Sequence, residues 1–403
     1  MGAHPQTADA ARARVELADV FARHAAAYQA THRLVPVQHR AIAAIEACRT
    51  EQLGGHVERC EACAALRYHY HSCRNRHCPK CQTLAKERWL AARRAELLPV
   101  PYFHLVFTLP HELNALAQGN PRALYALLFQ SVSDTLTEFG ENPRWLGGNI
   151  AATLVLHTWG QTLSQHLHLH CLIAAGALAP DGHWVTSRRG FLFPVKALSR
   201  VFRGKFIAGL QRLFQNGTLK LAGSCTTLAA PHAQRHLINT LHEHPWVVYA
   251  KRPFAGPAQV LDYLGRYTHR VAISNHRLVS LTDDAIRFRY KDYAHGNRRT
   301  VMALAPAEFI RRFLLHVLPQ HFMRIRHYGI LANRTKQQKL ALARAALLQP
   351  SPATPPEAES VERFWLRVAN LDIHQCPHCK AGRMRVIGPI PTSRARGPPR
   401  PKP

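Results

Sequence analysis

A chain of 403 residues with 47% apolar content can form one large domain or several smaller ones with real cores, which excludes a disordered protein. Its 53 Lys and Arg against 24 Asp and Glu give a formal net charge of +29 and a pI near 10.5, which indicates a polyanionic partner, with nucleic acid as the first candidate. The sequence has neither an apolar run of about eighteen residues for a membrane span nor the apolar segment of an N-terminal signal peptide, so we expect a cytoplasmic protein without a membrane partner.

The first fifty residues show helical periodicity. Apolar residues recur from Val15 to Tyr28 and again from Ala41 to Cys48, after a loop around Pro36. We predict a small helical lead-in with a packing role.

Cysteines dominate the next segment, and six of the ten in the chain lie between residues 48 and 81. Two C-x-x-C pairs separated by fourteen residues have a spacing close to that of a zinc ribbon, because each pair offers two thiolates to one tetrahedral ion. These pairs are Cys60/Cys63 and Cys78/Cys81. We predict a structural Zn²⁺ site here, with Cys73 and His77 as surplus ligand candidates and Cys73 able to replace one of the four.

The same segment is basic. Arg74, Arg76 and Lys80 lie between or beside the cysteines, where they can present cations to phosphate. A solvated basic loop is the alternative interpretation.

Residues 165–173 alternate imidazole and apolar side chains, a pattern typical of a strand with one polar and one buried face. His166, His168 and His170 share one face, and two histidines that point the same way form half a metal site. Residues 150–156 read as another strand, and the two strands are expected to pair as an antiparallel hairpin.

A second conspicuous stretch follows about ninety residues later. Tyr263 and Tyr267 lie four residues apart in a helix-compatible run, so their hydroxyl groups project from one face. His269 and Arg270 come directly after them, an unusually cationic neighbourhood for a purely structural aromatic pair. A strand with a histidine pair and a helix with a tyrosine pair together suggest metal-assisted attack on a phosphodiester.

The remaining elements indicate an α+β protein with an antiparallel sheet, because strands and helices mix without a regular βαβ order. Residues 349–358 are a Pro-rich linker, and residues 389–403 form a basic tail that we expect to be disordered. Between them, Cys376 and Cys379 supply half of a further zinc site whose other ligands the sequence does not identify.

Three segments resemble the transposases of the IS91 insertion-sequence family, which are two-tyrosine HUH (His, hydrophobic, His) nucleases that move DNA by a rolling-circle route. They are residues 72–81 (SCRNRHCPKC), 107–113 (FTLPHEL) and 263–274 (YLGRYTHRVAIS). The resemblance implies an HUH-type nuclease domain, with a central antiparallel sheet flanked by helices, and a small N-terminal zinc-binding module. It also implies single-stranded or hairpin-containing DNA element ends as the partner and a nucleoid-associated location.

The resemblance further implies roles for the conspicuous residues. His168 and His170 match the metal pair that would hold Mg²⁺ or Mn²⁺, although Leu167 replaces the proline of the family pattern. Tyr263 and Tyr267 match the paired nucleophiles, which would form a 5′-phosphotyrosine intermediate and leave a free 3′-OH.

The third metal ligand is open at this point. Gln259 is the first candidate because it lies four residues before Tyr263, and His166 and His269 are further candidates. Several cations are expected to contact DNA phosphates. They are Arg266, Arg270, Lys251 and Arg252.

We therefore predict four regions: a helical lead-in over 1–50, a zinc-binding and DNA-binding module over 51–98, the HUH catalytic domain over 99–345, and a linker, Cys knuckle and tail over 346–403. Two alternatives remain. One is a replication initiator or relaxase with the same chemistry, and the other is a non-catalytic, zinc-dependent nucleic-acid-binding protein.

Overall fold

The computed structural model describes residues 15–188, 190–254, 259, 265, 269, 271–292, 295–348 and 359–393. Within these ranges, no helix is both long and apolar enough to cross a membrane. The α+β class predicted from the sequence is confirmed, because the molecule combines helices with antiparallel sheets.

A six-stranded antiparallel sheet forms the centre of the fold, in the order β11-β4-β5-β3-β7 with β6 paired to β5. Its strands are β3 (Tyr102–Thr108), β4 (Asn149–Trp159), β5 (Gln165–Leu178), β6 (Trp184–Thr186), β7 (Val248–Phe254) and β11 (Ile325–Gly329). The predicted pairing of β4 and β5 as a hairpin is confirmed. The basic and aromatic segment around residue 325 forms the edge strand β11 of this sheet.

Helices cover one face of the central sheet. They are α4 (Asn114–Gly119), α5 (Pro121–Glu141), α6 (Val195–Gln215) and α7 (Pro231–Glu243). Leu167, Leu169 and Cys171 of β5 point into this layer and join one large apolar cluster with Phe107 and Phe202. The two-residue period of the strand therefore leaves the alternate residues, which include the histidines, on the opposite face.

That opposite face is divided along its length. Towards one end it packs on α9 (Lys336–Ala346), where Leu172 and Ala174 of β5 meet Leu340. Helix α3 (Gln82–Arg94) also lies on this side, because an Arg93 guanidinium nitrogen lies 2.9 Å from Nε2 of His327 on β11. The other end of the face carries the histidines.

A second sheet, in the order β10-β9-β8, packs with the N-terminal helices. Its strands are β8 (Leu278–Leu281), β9 (Ile286–Asp292) and β10 (Arg298–Leu304). The helices are α1 (Leu17–Thr31), α2 (Pro36–Glu46) and α8 (Pro306–Leu314). Phe21, Ile42, Phe288 and Phe313 belong to one buried cluster, so the predicted helical lead-in packs on a segment far along the chain.

A third small sheet joins the cysteine-rich region to the C-terminal segment of the described chain. Strand β1 (Gly55–Cys60) pairs with β2 (Leu66–Tyr70) on one side and with β12 (Met384–Ile390) on the other. Helix α10 (Val361–Ala369) precedes β12 in sequence. The C-terminal segment thus completes a sheet that begins in the cysteine-rich region.

Candidate active site and thiol clusters

Three histidines lie together on the face of the central sheet opposite the layer of helices α4 to α7. Potential ligand atoms of His157, His168 and His170 all lie within 4.8 Å of one another, and all three side chains are buried. The register of the hairpin explains this grouping, because His157 of β4 stands directly opposite His168 of β5. His170 follows two residues later on the same face.

Neighbouring groups orient two of these imidazoles. Nδ1 of His168 lies 2.9 Å from the carbonyl oxygen of His166, so Nδ1 carries the proton and Nε2 keeps its lone pair. Nδ1 of His170 lies 2.9 Å from Nε2 of His104 on β3, and the two rings stack at 5.1 Å. Such partners fix the direction of a metal-ligating ring.

Burial keeps His168 of this cluster, and the neighbouring His104, uncharged at neutral pH. It lowers the pKa of His168 from 6.5 to about 3, with a further contribution from His166. Burial and the neighbouring Lys251 lower the pKa of His104 to about 4. Neutral imidazoles can bind a divalent cation without first losing a proton, so the donor set fits such an ion.

The other metal ligands predicted from the sequence do not belong to this histidine cluster. His166 is exposed and does not belong to the histidine cluster, although its ring centroid is 4.8 Å from that of His168. Gln259 is helical and exposed. His157 was missed because the predicted strand stopped at residue 156, whereas the hairpin register could have identified it.

The paired tyrosines and the arginines near them fall outside the described residues. They are Tyr263, Tyr267, Arg266 and Arg270. Two residues of the same segment are described. A Cβ added to Gly265 would lie 2.9 Å from Cδ1 of Leu90 on α3, and the His269 ring lies 5.9 Å from that of Trp89. Burial, together with Arg324 and Lys86, lowers the pKa of His269 to about 4.

The cysteines form two clusters of four thiols. Cys48, Cys73, Cys78 and Cys81 make up the first cluster, with Sγ–Sγ distances of 3.5 Å from Cys48 to Cys81 and 3.6 Å from Cys73 to Cys81. Cys48 follows α2, and Cys81 immediately precedes α3. Hydrogen bonds with Cys73, the largest cause, and with Cys78 lower the pKa of Cys48 to about 7.

Cys60, Cys63, Cys376 and Cys379 make up the second cluster. This arrangement differs from the predicted ribbon, in which Cys60/Cys63 and Cys78/Cys81 share one ion. Cys78 and Cys81 instead group with Cys48 and Cys73. Cys60 and Cys63 group with Cys376 and Cys379, the pair whose other ligands the sequence did not identify. Cys73 belongs to the first cluster, and His77 is buried but lies in neither.

The predicted DNA-contacting cations of this region border a cleft of about 700 Å³, with Arg74, Arg76, Lys80 and His269 among its walls. Arg76 is half-buried and donates a hydrogen bond of 2.6 Å to the carbonyl oxygen of Phe322, while Lys80 forms an ion pair with Glu16. Arg74 has a φ of 53°, in the left-handed region. Arg76 and Lys80 thus already have partners within the protein, whereas the side chain of Arg74 is exposed at the wall of the cleft.

The structure thus combines an antiparallel sheet that carries a buried cluster of three histidines with two clusters of four thiols. Comparison with known families identifies the class of protein as a transposase with a zinc-binding domain. The family model described as "Putative transposase" matches residues 151–339, and the model described as "Transposase zinc-binding domain" matches residues 20–109.

Two relatives cover most of the chain. The "Putative transposase y4qJ" of Sinorhizobium fredii (strain NBRC 101917 / NGR234) is 49% identical over 382 residues, 94% of this chain and 96% of that protein. The "Transposase for insertion sequence element IS801" of Pseudomonas savastanoi pv. phaseolicola is 30% identical over 348 residues, 83% of this chain and 80% of that protein. The chain therefore belongs to this family of insertion-sequence transposases with an IS91-type zinc-binding domain, which confirms the resemblance inferred from its motifs.

Among solved structures, the metal-bound "Conjugative Relaxase Trwc In Complex With Orit DNA" aligns with 58% of this chain and 93% of that chain, at 12% identity and a TM-score of 0.24. A likeness at this TM-score supports no conclusion about this chain. Membership of a transposase family, in contrast, agrees with the DNA partner expected from the charge.

Proposed function

We propose that the protein nicks and rejoins single-stranded DNA at insertion-sequence ends through a 5′-phosphotyrosine intermediate, as an HUH endonuclease and strand transferase. The observation that carries this proposal is the grouping of His157, His168 and His170 within 4.8 Å on one face of the sheet. In a member of a transposase family, a buried cluster of three imidazoles is best explained as the site of a divalent ion.

His157, His168 and His170 would hold Mg²⁺ or Mn²⁺, which when bound would polarise the scissile phosphate as a Lewis acid. His104 supports this role as a positioning residue, through its contact with Nδ1 of His170. Lys251 pairs with His104 in the β3–β7 register and is exposed, so its ammonium group would attract the DNA backbone to this face.

The nucleophile in this proposal is the hydroxyl group of Tyr263 or Tyr267. The phenolic oxygen attacks phosphorus, the bond from phosphorus to the 3′-oxygen breaks, and that oxygen leaves as a 3′-OH after it takes up a proton. Rejoining is the reverse transfer to a 3′-OH and restores the free tyrosine. The ester bond is exchanged and not hydrolysed, so the reaction needs no nucleotide cofactor.

The surroundings of α3 support the assignment of the nucleophiles to this site. Gly265 and His269, which flank Tyr267 in sequence, approach Leu90 and Trp89 on α3. The same helix contacts His327, which stands opposite Thr153 in the β4–β11 register and so shares the sheet face of His157. Gly265 and His269, the two described neighbours of Tyr267 in the sequence, thus lie beside a helix on the side of the sheet that carries the histidines.

Single-stranded element ends would reach this face along the basic cleft beside the cysteine-rich module, with Arg74, Arg266 and Arg270 as phosphate contacts. Zn²⁺ bound by Cys48, Cys73, Cys78 and Cys81 would stabilise the fold of this module. Action on element ends in chromosomal DNA implies a cytoplasmic, nucleoid-associated location.

Covalent capture of DNA tests the proposal. Purified protein is incubated with Mn²⁺ and a labelled single-stranded oligonucleotide that carries the element end, and the products are separated under denaturing conditions. We expect a protein–DNA adduct that a chelator abolishes and that the double variant Tyr263→Phe/Tyr267→Phe does not form. Tyr68→Phe is the matched control, because this tyrosine is 57% exposed on β2, and the control should form the adduct normally.

The same assay separates the alternatives. A non-catalytic zinc protein would bind the oligonucleotide equally well in wild-type and doubly substituted forms and give no adduct with either. A relaxase or replication initiator would form the adduct on an origin sequence and not on element ends.

A further inference from the structure

The two cysteine pairs of the second cluster have matching backbones. Ala64 and Lys380, each directly after the second cysteine of its pair, have φ values of 57° and 56°. The amide N–H of Ala64 donates to the carbonyl oxygen of Cys60 at 3.1 Å, and that of Lys380 donates to the carbonyl oxygen of Cys376 at 2.9 Å. Each pair therefore forms the same tight turn, which directs its two thiols to one side.

The spacing between the pairs suits one tetrahedral ion. Cys60 and Cys379 have their Sγ atoms 3.7 Å apart, and so do Cys63 and Cys376. Zn–S bonds of about 2.3 Å in a regular tetrahedron place neighbouring sulfur atoms about 3.8 Å apart. A disulfide needs about 2.05 Å, so the thiols are arranged as ligands and not as bridges.

Amide groups also point at the sulfur atoms. The N–H of Gly382 donates to Sγ of Cys379 at 3.3 Å, and the N–H of Cys63 donates to Sγ of Cys60 at 3.5 Å. Such bonds favour the thiolate form that a metal requires. Two turns that both stabilise thiolates at one point indicate a cation between them.

Among the described residues, the apolar core around this sheet is too small to stabilise it. The fully buried members of that core are Cys60, Cys376 and Met384, with Ala65 and Cys379 packed beside them. A unit with so little apolar surface normally needs a metal or a disulfide for stability. Two of these three buried residues are themselves thiols of the cluster.

We infer that Cys60, Cys63, Cys376 and Cys379 form a second structural Zn²⁺ site, which fastens the C-terminal segment to the N-terminal cysteine-rich module. The segment matched by the zinc-binding family model, residues 20–109, contains all four thiols of the first cluster but only half of this one. The other half comes from residues beyond both matched segments. The site is thus assembled only when the C-terminal segment meets the cysteine-rich region around Cys60.

The attachment of the C-terminal segment to β1 also affects the basic cleft. Residues 359–393 are tied to β1 by the β12 pairing and by the proposed ion. Val361 and Trp365 of α10 line the cleft together with Arg74 and Arg88. Loss of the second ion should therefore release one wall of the cleft and leave the histidine cluster intact.

Zinc counting on the full-length protein tests the inference. Wild-type protein purified under reducing conditions should contain about two Zn²⁺ per chain by plasma mass spectrometry, and Cys376→Ser/Cys379→Ser should contain about one. His378→Ala is the matched control, because it changes the same turn without removing a thiol, and it should retain both ions. A wild-type content of one ion, unchanged in the double variant, would overturn the inference.

Two further variants guard against general misfolding. Cys379→His replaces one zinc ligand by another and should retain about two ions. Gly382→Ala keeps every thiol but places a Cβ 2.5 Å from Sγ of Cys60, so one ion should pass to a chelator faster than from wild type. Retention of two tightly held ions by Gly382→Ala would contradict the assigned geometry.

Proteolysis reports the fastening itself. Mild chelation of wild-type protein should expose Arg383 and Arg385 to trypsin, and added Zn²⁺ should restore protection. Protection that does not depend on zinc, or a native Cys60–Cys63 or Cys376–Cys379 disulfide found by mass spectrometry of alkylated protein, would refute a metal fastening.

Discussion

His157 distinguishes the histidine cluster from an ordinary polar strand. A single buried histidine usually satisfies its hydrogen bonds within the core, as His316 does with Thr158 and Leu163. Here, by contrast, three imidazoles have ligand atoms within 4.8 Å of one another, and a carbonyl oxygen orients one ring while another histidine orients a second. The proposed metal chemistry depends on this grouping of three ligand atoms around one point.

We expect His157→Ala to lower Mn²⁺ affinity by more than about 100-fold, since loss of an outer-shell partner alone costs about 10- to 100-fold. Adduct formation should fall in parallel. His166→Ala removes an exposed imidazole from the same strand and should change either quantity by less than about threefold. Calorimetric titration with Mn²⁺ measures the affinities, and equal losses in both variants would exclude the three-histidine site.

His316 supplies a pH prediction. Burial lowers its pKa from 6.5 to about 4, so only the unfolded chain is protonated between these values. Stability from this group is complete above pH 6.5 and declines as the pH falls towards 4, by about 1.4 kcal/mol per pH unit and about 3 kcal/mol in total.

Denaturant unfolding at pH 7 and pH 5 measures this effect. His316→Gln should be less stable than wild type at pH 7, because the new side chain fits the contacts with Thr158 and Leu163 less well. It should nevertheless lose about 2 kcal/mol less than wild type between the two pH values. An identical pH dependence in the two proteins would show that His316 does not titrate in this range.

At the level of the elements, β5 was predictable because its alternation determines which face is buried. Leu167, Leu169 and Cys171 fill the core as expected, and His168 and His170 remain on the other face. His157 was not predictable from local pattern, because its place depends on the register between β4 and β5. Periodicity identifies the face of a strand, but register is determined by the turn and by the packing of both strands.

The cysteines show the same limit. C-x-x-C spacing correctly indicates that Cys60 and Cys63 form a pair, because a tight turn brings two thiols together locally. It cannot specify which second pair completes a tetrahedron, because any pair delivered by the tertiary fold satisfies the same geometry. Here the second pair comes from residues more than 300 positions away, with Cys63 and Cys376 separated by 313 positions.

Leu169 tests whether β5 can be weakened without touching its ligands. Its side chain is fully buried in the helical layer, between His168 and His170 in sequence. Leu169→Ala should lower the free energy of unfolding by about 2–5 kcal/mol. Folded protein should still bind Mn²⁺ with near wild-type affinity, and an affinity loss as large as that of His157→Ala would mean that packing alone explains the effect of both substitutions.

On the scale of the whole molecule, segments that are far apart in the sequence pack against each other or pair in one sheet. Helices α1 and α2 share a buried cluster with β9 and α8, and β12 completes the sheet of β1 and β2. The four predicted regions remain a prediction, but the buried clusters cross their boundaries. The sequence does not reveal which distant segments pack together, because each segment has the same local pattern whichever segment it packs against.

The net charge of +29 leads to the last prediction, which concerns salt. Each phosphate contact releases counterions, so the logarithm of the affinity for single-stranded DNA falls with the logarithm of the salt concentration, with a slope of about −0.7 per contact. If Arg74 contacts DNA from the wall of the basic cleft, Arg74→Ala should make this slope less steep by about 0.7.

Arg235→Ala is the matched control, because this exposed arginine lies on α7, in the helical layer on the other face of the central sheet. It lowers the net charge by the same amount but should leave the slope unchanged. Fluorescence anisotropy of a labelled oligonucleotide at several salt concentrations gives the slopes. Equal slopes for Arg74→Ala and wild type would remove Arg74 from the DNA path, whereas an equal change in both variants would mean that the overall charge, and not the cleft, attracts the strand.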